Sequence, residues 1–216
     1  MTTPLIIACG ALAKDLRAVL ASAGLADSTE VRYLPANLHN HPDGIVPAIA
    51  EVLDERPERP TFVAYADCGT GGALDRLLAD HPDIERLPGA HCYEFFAGTE
   101  LFARLHDEAP GSFYLTDFLA RNFEPLVWGG LGLDEHPQLL ATYFARYEKV
   151  VLLAQSGDAE VTDAARAAAQ RLGLPLEIHG VGRAGMAGGG PGGGAAARAA
   201  SVTSASPGWA SSTAFS

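Results

Sequence analysis

Short, uninterrupted apolar runs alternate with amphipathic stretches along most of this chain, and that alternation restricts the fold more than any other feature. Leu5–Cys9 (LIIAC), residues 61–66 (TFVAYA) and Lys149–Ala154 (KVVLLA) are apolar at successive positions. Such runs suit strands buried on both faces, whereas a half-exposed strand would alternate. Glu30–Leu34, residues 112–115 and residues 174–179 read as three further strands. Helical spacing predicts helices over residues 11–22, 43–55, 73–79, 91–107 and Ala159–Leu172, with Leu12, Leu16, Val19 and Leu20 forming the buried stripe of the first. Residues 117–127 and 136–147 read as a helical hairpin around the GGLG turn at 129–132. Continuous strands joined by helices imply right-handed crossovers and a sheet covered on both sides. The expected fold class is α/β: a doubly wound, mostly parallel sheet with helices on both faces, a Rossmann-like or flavodoxin-like three-layer sandwich.

Composition sets the boundary of the folded part. Residues 1–183 are mixed and read as a single α/β domain, but 24 of the 33 residues from 184 to 216 are Gly, Ala or Ser. That segment, with GGGPGGG at 188–194, offers too little apolar surface to offset its ordering entropy and is expected to be a disordered tail. The formal net charge is −11, which argues against sequence-independent binding to nucleic acid or to an anionic membrane surface. No apolar run reaches the ~20 residues that span a bilayer. The start, MTTPLIIACG, has no basic segment of the kind that precedes an export signal, so a cytoplasmic location is expected. The chain has only three cysteines, an odd number that does not suit a disulfide framework.

The placement of those cysteines is the strongest chemical signal. Cys9 ends the first strand, Cys68 follows the third in DCGTGG, and Cys92 stands at the head of a helix in GAHCYE. In an open α/β sheet, ligands gather beyond the carboxyl ends of the strands. Three loops on one rim therefore can bring three sulfurs to one point. Three thiolates suit a soft or borderline ion: zinc with a fourth position for water, substrate or histidine, or a [4Fe–4S] cluster with one open iron. Cys9, Cys68, Cys92 and neighbouring His91 are the candidate metal ligands. The competing explanation is that a free cysteine is a common buried hydrophobe, and no CxxC pair occurs.

Other polar residues extend the constellation. The segment LHNHP carries His39 and His41 after the second strand, and His39 is the better placed to reach Cys9 at the rim. The backbone N–H groups of Gly69, Thr70, Gly71 and Gly72 are candidates to cradle a phosphate-bearing cofactor as the next helix begins. A glycine-rich turn also serves simply to pack a helix on a strand. Glu94, in the first turn of its helix, is a candidate acid or base together with His39, although acids there often only complement the helix dipole.

Taken together, the segments LIIACGALAKDL, LPANLHNHP, YADCGTGGALD, GAHCYEFFAG, FYLTDFLARNFEPLVWGGLGLDEHP and YFARYEKVVLLAQ resemble the family catalogued as domain of unknown function 1638 (DUF1638), with a weaker match through LGLPLEIHG. The resemblance implies that Cys9, Cys68 and Cys92 are the family's motif cysteines. It also implies an association with corrinoid-dependent methyl transfer from methylamines and related compounds. After Gly182 the chain departs from the expected glycine-rich turn and closing helix.

Two functions are thus expected to compete. One is a metal-dependent protein, zinc or iron–sulfur, acting on a small-molecule substrate or with a corrinoid-related protein in one-carbon metabolism. The other is a non-catalytic accessory protein that binds a phosphate-bearing small molecule or a corrinoid through the DCGTGG loop. Thiol redox chemistry between two of the cysteines is a third reading.

Overall fold

A computed structural model of the protein describes residues 2–55 and 59–182. Its strands are β1 (Leu5–Cys9), β2 (Glu30–Leu34), β3 (Thr61–Ala64), β4 (Glu85–Arg86), β5 (Ser112–Thr116), β6 (Lys149–Ala154) and β7 (Leu176–Gly180). Its helices are α1 (Ala13–Ser22), α2 (Ile45–Glu55), α3 (Ala73–Leu78), α4 (Tyr93–Ala97), α5 (Thr99–Glu108), α6 (Asp117–Arg121), α7 (Leu140–Tyr143) and α8 (Ala159–Leu172). Every strand pair is parallel. The expected α/β architecture is present, with its strands divided between a four-stranded sheet of order β2-β1-β3-β4 and a three-stranded sheet of order β5-β6-β7. The expected tail at 184–216 lies outside the described residues.

The burial pattern follows from the apolar runs. Every residue of β1 and β3 is buried. In the second sheet the two faces serve different cores. Tyr114, Val151 and Leu153 join the core that also holds β1 and β3, while Leu115, Val150 and Leu152 pack with α8 and Trp128. Alternation with period two sends successive side chains to opposite sides of a strand, so a run that is apolar throughout glues layers on both. Among the described residues no helix is long and apolar enough to cross a membrane.

Three departures from the expected elements have local causes. The helix expected over 91–107 is two helices, because Gly98 (φ 79°, ψ 150°) leaves the helical region between α4 and α5. The expected helical hairpin is broken as well. Pro125 has no N–H to donate back into α6, which ends at Arg121, and the chain widens into a π-turn over Glu124–Trp128. The second arm shortens to α7. Finally, the two-residue β4 is too short to leave a periodic signal in the sequence.

In the first sheet, the chain moves from β1 to β2 on one side and crosses to β3 on the other. The loops after these strands diverge at their carboxyl ends, the usual place for a binding crevice in such sheets.

Candidate metal centre

The parallel sheet delivers four side chains to that crevice in the spatial order of its strands. The loop after β2 brings His39, β1 ends on Cys9, β3 leads into Cys68, and the segment after β4 brings Cys92. Neighbouring strands make the closest contacts. Cys9 Sγ lies 3.6 Å from His39 Nδ1, and Cys68 Sγ lies 3.1 Å from Cys92 Sγ. The β3–β4 pairing continues past the strands, since Asp67 N and Cys68 N donate to the carbonyls of Gly89 and Ala90 at 3.1 and 2.9 Å. This zipper holds the Cys68 backbone against the loop of Cys92.

Ligand atoms of His39, Cys68 and Cys92 all lie within 4.8 Å of one another. In a tetrahedral zinc site with Zn–S bonds of ~2.3 Å the donor atoms stand roughly 3.8 Å apart, so small side-chain rotations suffice to close these three on one ion. Cys9 flanks this triad through its contact with His39, and its sulfur also accepts from Ala11 N at 3.4 Å. His39 Nδ1 additionally donates to the Ala36 carbonyl at 3.3 Å, which orients the ring.

The backbone at the site is unusual. Cys68 has φ 50° and is the one non-glycine residue with positive φ among the described residues. A side chain in this region costs of order 1–3 kcal/mol, and such outliers concentrate at functional sites. Tyr65 lies directly behind the cluster. It is fully buried, stacks on His39 with centroids 6.4 Å apart, and its hydroxyl has no hydrogen-bond partner. Burial and the charges of Cys9, Cys92 and Cys68 push its ionisation far up. A soft donor set with an orphaned hydroxyl beside it fits a bound ion and its remaining ligands.

Electrostatics couple the cluster. Cys68 is pulled down to about 5, first by its hydrogen bond to Cys92 and then, against burial, by the hydrogen bond and charge of His39. Cys92 is correspondingly pushed well up by Cys68 and by burial. Desolvation opposes the His39 cation, although the residue as a whole is exposed. Hydrogen bonds to Cys68 and Cys9, and their charges, outweigh this and raise His39 to about 10. These opposite shifts favour a Cys68 thiolate beside a His39 imidazolium when no metal is bound.

The remaining candidates are placed differently. His91 is exposed and lines the cavity, its ring 6.2 Å from that of Tyr93, and is not one of the three clustered ligands. The imidazole that joins the sulfurs is that of His39. Glu94 is half-buried and packs its carboxylate over Gly89, where an added Cβ would meet Glu94 Oε2 at 2.2 Å; it does not line the cavity. In the glycine-rich loop, Gly71 N and Gly72 N donate to Asp67 at 3.1 and 2.8 Å, and Thr70 Oγ1 donates to it at 2.8 Å. These bonds, the one from Gly72 foremost, hold the Asp67 carboxyl below the usual range. Two of the four backbone donors, Gly71 N and Gly72 N, are thus engaged by the loop's own carboxylate, Thr70 N donates to the Asp67 carbonyl, and of the four residues Gly69 borders the cavity.

The cavity has a volume of about 410 Å³ and opens between this rim and the second sheet. Sequence reasoning did not find three contributors to its frame. Asn40 donates to the Leu126 carbonyl in the π-turn, Tyr65 backs His39, and Asp117 ties β5 to β6. Only Asn40 had a local signal, its position next to His39 in LHNHP.

The fold and the site define a parallel α/β protein with a thiol–imidazole cluster at the carboxyl rim of its first sheet. A family model described as protein of unknown function (DUF1638) matches residues 33–184, and the chain belongs to this family. No curated protein and no solved structure matches the chain.

Proposed function

We propose that this chain is a metal-binding protein in which His39, Cys68 and Cys92 hold one thiophilic ion, zinc by the character of the donors, with Cys9 in reserve as a fourth ligand. The observation that carries this reading is the approach of three ligand atoms to within 4.8 Å. It favours a single ion over a [4Fe–4S] cluster, because a cluster binds each thiolate to a different iron and holds them farther apart. A zinc site with three protein ligands supplies Lewis acidity at its remaining position. Soft ligation there suits a sulfur or other soft donor from a small-molecule substrate. A role beside a corrinoid-related protein in methyl transfer accords with that chemistry and comes from the family resemblance. Three free cysteines accord with a reducing, cytoplasmic setting.

Anaerobic purification with elemental analysis tests the reading. About one zinc per chain in wild type and loss of it in Cys68→Ser are expected. Substoichiometric zinc and iron in both proteins overturns it.

A second reading is favoured by one contact, the 3.1 Å between Cys68 Sγ and Cys92 Sγ. Two thiols that close form a disulfide when a peroxide accepts their two electrons and is reduced to water. A Cys68–Cys92 disulfide found by mass spectrometry in zinc-replete protein exposed to mild peroxide supports it.

A further inference from the structure

The cavity beside the cluster mixes two chemistries. Cysteine and histidine side chains line it together with Phe96, Phe113, Phe118, Leu126, Val127 and Leu131. Among its described lining residues none is Asp, Glu, Lys or Arg, in a chain with net charge −11. A charged group held among the apolar walls loses its hydration there, and the charges the cavity offers lie at the thiol–imidazole cluster. An uncharged apolar ligand gains from burial, and flat rings gain further from offset or edge contacts with aromatic walls.

The size agrees. About 410 Å³ lies in the usual range for small-molecule sites and accommodates a two-ring molecule. The wall is also built deliberately. Leu126 and Val127 lie in the π-turn, a geometry that recurs at functional sites, and the Asn40 side chain satisfies the carbonyl of Leu126 at 2.9 Å. Gly130 leaves room for that bond, since a Cβ there would meet Asn40 Nδ2 at 2.2 Å.

We propose that this cavity binds a ring-bearing small molecule, with the ring among the phenylalanine and leucine side chains and a single polar group directed at the thiol–imidazole rim. The direction of the polar end rests on the metal-centre reading; the apolar seat does not.

The test uses calorimetric titration of the full chain, zinc-loaded and after chelation, with two probes that carry the same hydroxyl. These are 2-naphthol and ethanol. Saturable 1:1 binding of 2-naphthol is expected, with ethanol, which lacks the ring, at least tenfold weaker. Leu131→Trp and, independently, Leu126→Trp are expected to abolish naphthol binding while zinc content stays at the wild-type level. Equal binding of the two probes, or naphthol binding undiminished in both folded variants, overturns the proposal. Naphthol binding to a protein that takes up no zinc sinks the metal reading and leaves the seat standing. Zinc uptake without naphthol binding does the reverse.

Discussion

The side-chain amide of Asn40 donates to the backbone carbonyl of Leu126 at 2.9 Å, across 86 residues of sequence, and so ties the loop that carries His39 to the π-turn beyond the second sheet. This one bond joins two residues that line the cavity. Asn40→Ala leaves a carbonyl without its partner and is expected to cost about 1–3 kcal/mol. Gly130→Ala forces a methyl group against both partners of the bond and is expected to cost a similar ~1–3 kcal/mol. Urea denaturation of both variants checks the direction. A neutral result for both would remove the clamp from the account of the site.

Metal uptake should rank the four ligand candidates. His39→Ala, Cys68→Ser and Cys92→Ser are each expected to lower zinc affinity by tenfold or more, whereas Cys9→Ser, which lies outside the compact triad, is expected to lower it less. Competition against a chromophoric chelator reads this order. Equal losses at all four positions would make Cys9 a full ligand.

The pH dependence of the metal-free protein follows from opposite shifts on two neighbours. Cys68 is lowered to about 5 from 9.0, chiefly by Cys92 and then His39, so its stabilisation is complete above pH 9.0 and is lost as pH falls toward 5. His39 is raised to about 10 from 6.5, so its contribution is complete below pH 6.5 and is lost as pH rises through 10. The pair therefore stabilises the fold most between those limits. Thermal melts of chelated protein should show the alkaline decline in wild type and a flatter one in His39→Gln. Iodoacetamide labelling of Cys68 should shift its midpoint upward in the same variant.

Tyr65 and Asp117 should respond in opposite ways to loss of their polar atoms. The Tyr65 hydroxyl is buried without a partner, so Tyr65→Phe in metal-free protein is expected to be neutral or stabilising by up to ~1 kcal/mol. Asp117 accepts from Gln155 N at 2.9 Å, Ser156 N at 2.9 Å and Ser156 Oγ at 2.5 Å, and is itself buried. Asp117→Ala strands all three donors and is expected to cost about 3 kcal/mol or more. Chemical denaturation of the two variants separates these outcomes.

Sequence by itself determined the layered character of this protein. Leu5–Cys9 and Lys149–Ala154 are apolar at every interior position, and only a strand buried on both faces can use such a run. It also determined that Cys9, Cys68 and Cys92 end at element boundaries, because strand length and the onset of helical spacing are local properties. Tertiary structure alone decided which imidazole meets the sulfurs. His91 is adjacent to Cys92 in the chain, yet His39 joins the cluster, because β2 lies beside β1 and its loop folds over Cys9. The glycine-rich loop shows the same limit. DCGTGG contains the donors for an anion, but whether they face a ligand or the Asp67 carboxylate depends on backbone angles that composition does not encode. The contact between Cys68 and Cys92 likewise depends on the pairing of β3 with the two-residue β4, an interaction between distant segments that no local pattern in the chain announces.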